Sequence, residues 1–251
     1  MIASAAAFVP AADTASDSET KSRTDRAPGA DPPPGRPAPF GFPIMVEVRG
    51  RRVVIAGGGH EPAGKAGSLA RLGADVVVWA ERHRQTAGLE GIPGIELRTG
   101  PYDPALLDGA LLAIVGTGDR EVDHRIATDA RQRHVLVNTV DDIPYCDWSA
   151  PAILRRGDLT ISVASAGIAP ALAVRVRDAI AELIGPEHGE LLAILATLRP
   201  RIMATGRPFA SRRTLWYELV DGPAVDLIRA GDVEAARDHL ERVVSDWERR
   251  S

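Results

Sequence analysis

Val53-Val54-Ile55-Ala56-Gly57-Gly58-Gly59-His60 is the stretch on which the fold turns. Its four apolar residues, three of them β-branched, read as a strand buried on both faces. Three consecutive glycines end it, and residues 62–72 read as a helix. Strand, glycine turn and helix N-terminus together form a place where a phosphate can rest on backbone N–H groups. Glycine suits such a turn because the turn is tight and a Cβ would hold a pyrophosphate away. The spacing is incomplete, because G-x-G-x-x-G needs glycine at 62, after Gly57 and Gly59, and Pro62 stands there. Proline fits the first turn of a helix but offers no N–H to a phosphate. A bare βα turn without a ligand is the competing reading.

Outward from this stretch the same grammar repeats. Leu72-Gly73 closes the helix with a C-cap glycine. Apolar strands follow at 75–80, 95–98 and 111–115, the last leading into Gly116-Thr117-Gly118 and a helix over 119–133. A fifth strand at 134–138 runs into Thr139-Val140-Asp141-Asp142. Strands alternating with helices predict an α/β fold, a Rossmann-like, doubly wound parallel sheet over residues 41–150. Beyond Asp142 the pattern changes. Strands at 152–155 and 159–163 flank Arg156-Gly157-Asp158 as a hairpin, and Pro170 opens a helix that stops at Gly185-Pro186. Residues 186–251 read as a helical C-terminal region, with Leu191, Leu192, Leu195 and Leu198 on one face. Residues 1–40, rich in Ala, Pro, Asp, Ser and Gly, cannot bury enough surface to offset chain entropy and are expected to be a disordered tail. Phe42-Pro43-Ile44-Met45-Val46-Glu47-Val48 starts the folded part.

Composition narrows the function classes. At 251 residues and 45% hydrophobic content, the chain can bury a sizeable core. A formal charge of −4 gives no reason to expect a nucleic-acid partner. The single cysteine, Cys146, excludes an intrachain disulfide and a Cys-rich zinc site, and fits a reducing cytoplasm. No apolar run reaches bilayer length, and the opening residues lack the basic region of a secretory signal, so no membrane partner is expected.

Three places could carry chemistry. A dinucleotide site of this type wants an acidic residue about 20 residues past the glycines, for the ribose hydroxyls. Glu81 is so placed, and Arg82 beside it could instead accept a 2′-phosphate; a plain solvated strand end is the alternative. Asp141 and Asp142 sit past the fifth strand, where open α/β sheets hold their ligands. Either could act as a general acid or base, or cap the turn before Pro144; Asp142 is expected to point the other way along the chain and to matter less. Ser165-Ala166-Gly167 precedes a helix N-terminus, a second anion site. Arginines concentrate in the second half, Arg156, Arg177, Arg201, Arg207 and Arg212 among them, and suit a ligand with several carboxylates. The six histidines show no metal-ligand spacing.

Taken together, several ordered motifs are familiar. Phe42-Pro43-Ile44, Arg49-Gly50-Arg51-Arg52-Val53, Gly57-Gly58-Gly59, Lys65, Thr117-x-Asp119 and Val137-Asn138-Thr139-Val140-Asp141 come in that order. Pro151-Ala152-Ile153, the run Ser165 to Ala173, Leu198-Arg199-Pro200-Arg201 and Arg212-Arg213-x-x-Trp216 follow. The chain from about 41 to 250 resembles the precorrin-2 dehydrogenase/sirohydrochlorin ferrochelatase family, the dehydrogenase–chelatase half of sirohaem synthase, here read as its stand-alone form. The resemblance implies NAD-dependent dehydrogenation of precorrin-2 to sirohydrochlorin, in the cytoplasm, with Fe²⁺ as the substrate of a further chelation step in some members. It places the catalytic aspartate at Asp141. The cofactor set becomes Gly57, Gly58, Gly59, His60, Glu61, Glu81, Arg82 and Thr117. Ser165 and Gly167 fall on the side of the tetrapyrrole substrate, and Ser165 aligns with a serine that is phosphorylated in a family member. Homodimers form in the family through the segment matching residues 151–185. Pro62, Gly64, Gly118 and Ala166 depart from the residues the family usually has there, alanine, a charged residue, aspartate and glycine. A non-catalytic tetrapyrrole- or metal-binding protein on the same fold, or an NAD-sensing module, are the rival readings.

Overall fold

Five parallel strands carry the first half of the chain: β1 (Arg52–Ala56), β2 (Asp75–Ala80), β3 (Ile95–Thr99), β4 (Ala110–Val115) and β5 (Leu136–Thr139), ordered β3-β2-β1-β4-β5. The computed structural model describes residues 41–58, 60–82 and 89–250, with His60, Glu61 and Ala63 described by backbone alone. The expected tail at 1–40, the role of Gly59 and the side chains of His60 and Glu61 lie outside the described residues. Helix α1 (His60–Arg71) joins β1 to β2, and α2 (Arg120–Gln132) joins β4 to β5. Strand order reverses between β1 and β4, so the crevice at their carboxyl ends is the topological switch point where such sheets bind ligands.

Alternate strand residues point to opposite faces, and here both faces are covered. Val54, Ala56, Val77, Trp79, Ala113, Val115 and Val137 pack with Ile126, Ala127 and Ala130 of α2. Val53, Ile55, Val76, Val78, Leu112 and Ile114 pack on the other side with Ala66 of α1. Two-sided burial is why these strands read as unbroken apolar runs. Gly73 ends the first helical segment at φ +82, with its N–H bonded to the Ala70 carbonyl.

Strands β6 (Ala152–Arg156) and β7 (Leu159–Val163) form an antiparallel hairpin, against which α3 (Pro170–Leu183) packs. Four further helices follow: α4 (Pro186–Ala204), α5 (Phe209–Val220), α6 (Ala224–Arg229) and α7 (Val233–Arg249). They share a separate core that includes Leu191, Ile194, Leu198, Ile202, Leu215, Leu240 and Trp247. The hairpin and α4 meet at Gly189, where a Cβ would stand 2.5 Å from the Arg156 carbonyl oxygen. Arg156 turns its side chain to the end of α3, donating from Nε to the Ile184 carbonyl (2.8 Å) and from Nη2 to that of Ala181 (3.2 Å). A cation there satisfies otherwise orphaned carbonyls and complements the helix dipole.

Some boundaries differ from the sequence reading. Residues 42–47 are exposed and without regular structure, and burial begins at Val48. Helix α1 starts at His60, two residues earlier than expected, which puts Pro62 in its first turn. The fifth strand begins at Leu136, because His134 takes φ +58 and donates its N–H to the Arg131 carbonyl, closing α2. Short 3-10 turns at Pro104–Leu107 and Ile143–Tyr145 were not foreseen.

Candidate functional site

At the carboxyl ends of β1 and β4 the backbone is unusually close. Gly57 has φ +123, and a Cβ on it would collide with the Gly116 carbonyl. A Cβ on Gly116 would in turn come within 2.9 Å of Val140 Cγ2. Gly57 is therefore required by the packing of β1 against β4, whether or not a ligand is bound. Gly58 follows, half-buried, and α1 opens at His60. On the neighbouring strand, Glu81 and Arg82 are exposed just past β2. The Glu81 carboxylate makes no hydrogen bond or ion pair among the described residues. A glycine turn, a helix N-terminus and an exposed acid on adjacent strand ends form a donor and acceptor set that fits a dinucleotide's pyrophosphate and ribose.

Thr117 is engaged differently from expectation. Its N–H and its hydroxyl both donate to Asp123 Oδ1, at 2.9 and 2.6 Å, and its oxygen accepts the Asp119 N–H at 3.1 Å. The side chain thus serves the turn rather than the crevice. Asp123 is buried on α2 and was not singled out in the sequence, since a lone acid inside a helical pattern carries no signal of its partner.

Past β5 the two aspartates have opposite environments. Asp141 is exposed, takes φ +58, and its carboxylate has no hydrogen bond or ion pair among the described residues. Aspartate is among the few non-glycine residues that enter this region, at a cost of roughly 1–2 kcal/mol. Asp142 is 9% exposed. Its Oδ2 lies 2.7 Å from His124 Nε2 and 3.3 Å from Arg120 Nη2. Expected to matter less than Asp141, it is an anchored residue rather than a dispensable one. Its backbone carbonyl, not its side chain, caps the next turn by accepting the Tyr145 N–H at 2.9 Å. Cys146 ties the same loop to β5: its thiol donates toward the Thr139 carbonyl (3.1 Å) and accepts the Thr139 N–H (3.2 Å). Burial pushes the Cys146 thiol up from its ordinary pKa, which keeps it in the protonated form that can donate.

The Ser165 loop reaches the same place. Ala166 has φ +54 and Gly167 φ +77, and a Cβ on Gly167 would stand 2.7 Å from Ile143 Cδ1, two residues beyond Asp141. Ser165 Oγ accepts the Ala169 N–H at 3.4 Å, at the start of α3. The structure therefore joins the Asp141 and Ser165 loops side by side. Five of the arginines are engaged within the fold. Arg156 caps α3, Arg201 pairs with Glu248 (2.6 Å), Arg207 caps α7 by donating to the Trp247 and Glu248 carbonyls (2.7 Å each), Arg212 donates to the Arg207 carbonyl, and Arg177 holds Asp178. A groove of about 470 Å³ lined by Arg52, Asp75, Val77 and Glu96 lies at the opposite edge of the sheet and contains none of the expected site residues. Among the described residues no three His, Cys, Asp or Glu side chains cluster as metal ligands, and no helix is long and apolar enough to cross a membrane.

Comparison with known proteins agrees with this architecture. A family model described as "Putative NAD(P)-binding" matches residues 44–152, and one described as "Sirohaem synthase dimerisation region" matches residues 187–243. The second match follows the 151–185 segment that the sequence reading gave to the dimer contact. The sirohaem synthase of Chromobacterium violaceum is 36% identical over 205 residues, covering 81% of this chain and 44% of that protein. That of Sodalis glossinidius is 32% identical over 211 residues, again 81% and 44%. The chain thus spans less than half the length of these relatives. The solved structure of SirC, a precorrin-2 dehydrogenase, superposes with a TM-score of 0.63 at 18% identity, over 81% of this chain and 99% of that one, and shows the shared fold. With both family models in order along the sheet and the helical region, the chain carries the putative NAD(P)-binding and sirohaem synthase dimerisation regions in the order of the corresponding part of sirohaem synthase.

Proposed function

We propose that the protein is an NAD⁺-dependent dehydrogenase that converts precorrin-2 to sirohydrochlorin. The observation that supports this reading is Asp141: an unpaired carboxylate, in a left-handed backbone, at the same carboxyl end of the sheet as the glycine turn, two strands away. The oxidation removes one hydride and one proton from the tetrapyrrole. A bound nicotinamide would supply the hydride acceptor. Asp141 takes the proton, as a general base free of competing partners. Gly57, Gly58, Gly59 and the first turn of α1, with His60 and Glu61, would hold the pyrophosphate. Glu81 would accept the ribose hydroxyls and repel a 2′-phosphate, favouring NAD⁺ over NADP⁺, with Arg82 alongside. Thr117 would shape the floor of the site through its turn with Asp123. Ser165 and Gly167, packed next to Asp141, would border the substrate. Fe²⁺ enters only as the substrate of a following chelation in the same crevice.

The same reading makes the protein a cytoplasmic homodimer. On α3 and the loop before it, Ile168, Leu172 and Leu183 are 76%, 59% and 74% exposed, and Ile153 of β6 is exposed as well. A two-stranded hairpin is marginal alone and gains from a partner. The test of the activity is incubation of the protein with precorrin-2 and NAD⁺. Equal amounts of NADH and sirohydrochlorin are expected. Binding of NAD⁺ and tetrapyrrole with neither product would replace the enzyme by a binding protein.

A further inference from the structure

The Asp141 carboxylate has no hydrogen bond or ion pair among the described residues, so its direction is set by the backbone on either side of it. On the upstream side, the Val140 N–H bonds to the Val115 carbonyl at 2.8 Å. Downstream, Asp142 is held four ways: its N–H on the Thr139 carbonyl (3.3 Å), its carbonyl under the Tyr145 N–H (2.9 Å) and the Cys146 thiol (3.4 Å), and its carboxylate on α2. That last hold is dominated by His124. The Arg120 side chain is 79% exposed, and an ion pair so open to water contributes little. His124 and Asp142 are 29% and 10% exposed and sit 2.7 Å apart. With a carboxylate at that distance, Nε2 carries the proton and donates it. The Arg120 Nε, 3.4 Å from the same nitrogen, then finds no lone pair to bond.

The imidazole is gripped from a second direction. It stacks on the Tyr145 ring at 3.7 Å between centroids and 9° between planes. Both contacts of His124 therefore land on the segment 142–145, immediately after the strained residue. The residue before it, Asp123, grips Thr117 in the loop after β4. Successive helix residues point about 100° apart, so these two reach different loops from one rigid turn. Helix α2 thus sets the loop on the cofactor side and the loop on the Asp141 side relative to each other.

We infer that His124 is a positioning residue for Asp141: through Asp142 and Tyr145 it holds the backbone in the left-handed conformation that aims the carboxylate into the crevice. This inference rests on the proposed role of Asp141. Without the anchor, residue 141 relaxes toward the extended or right-handed basins that L-residues favour, and the carboxylate leaves its line. Misplacement of a reacting group by an ångström can cost roughly 10²-fold in rate.

Two variants test it in the intact protein. His124→Phe keeps the stack on Tyr145 and removes the donor, whereas His124→Gln restores an N–H near the position of Nε2. For His124→Phe we expect kcat with precorrin-2 to fall roughly 10- to 100-fold, with KM for NAD⁺ unchanged and amide hydrogen exchange faster at 140–146. For His124→Gln most of the rate and the slow exchange should return. Wild-type kcat in His124→Phe overturns the inference. So does a parallel loss of kcat and NAD⁺ binding, which would mark His124 as a residue of the general fold. If the wild-type protein itself makes no sirohydrochlorin, the functional reading fails first. The exchange pattern then judges the anchor alone, and unchanged exchange at 140–146 in His124→Phe refutes it.

Discussion

Asp141 and Asp142 are chemically identical and one residue apart, yet one faces solvent and the other is clamped beneath it. The difference is imposed by φ +58 at Asp141, which turns the chain between them. A second left-handed residue, Ala166, lies in the adjoining loop at φ +54. The left-handed basin costs an L-residue roughly 1–2 kcal/mol, and glycine gives back about 0.5–1 kcal/mol in chain entropy. Ala166→Gly should therefore stabilise the protein by about 0.5–1 kcal/mol, read as a higher midpoint in urea denaturation. An unchanged or lowered midpoint would mean that the loop relaxes around alanine. Motif spacing made Asp141 and Ser165 visible in the sequence. It did not reveal the pairing of Asp142 with His124, a helical residue whose partner is 18 positions away. Nor did it show that the Thr117 hydroxyl is spent on Asp123. Such pairings depend on how a helix is rotated over the sheet, which residue types alone do not encode.

At the scale of elements, the apolar period carried most of the fold. Strands buried on both faces and helices ended by Gly73 or Gly185-Pro186 were legible because each signal is local. The partners of individual arginines were not legible for the opposite reason. A guanidinium that caps a helix and one that awaits a carboxylate look alike in sequence, and only tertiary packing assigns Arg156 to the end of α3. Removing it leaves the carbonyls of Ala181 and Ile184 without their cationic donor. Hydrogen bonds to charged groups contribute about 1.5–3 kcal/mol, and this one is partly exposed, so Arg156→Ala should cost about 1–2 kcal/mol in chemical denaturation. A cost near zero would show that water replaces the guanidinium without loss.

For the whole molecule, a Rossmann-like half and a helical half, each with its own core, are joined through the hairpin and α3. The exposed apolar side of that junction is where the proposed dimer forms. Leu172→Glu places a charge on it without disturbing the interior, since Leu172 is 59% exposed. Sedimentation equilibrium should then show a folded monomer where the parent chain is a dimer. A dimer of unchanged affinity would move the interface to the region at 187–243 that matches the dimerisation model.

The central claim is that Asp141 performs the proton transfer of precorrin-2 oxidation, and Asp141→Asn tests it directly. Asparagine is nearly isosteric and, like aspartate, tolerates the left-handed backbone, so the fold and NAD⁺ affinity should be kept. Asp142→Asn is no neutral control, because that carboxylate is buried against His124. The decisive measurement is the rate of sirohydrochlorin formation by Asp141→Asn against the parent chain, at saturating precorrin-2 and NAD⁺. A fall of roughly 10²- to 10⁴-fold, with calorimetric NAD⁺ binding intact, is the predicted result. An undiminished rate would contradict it and leave Asp141 as a turn residue.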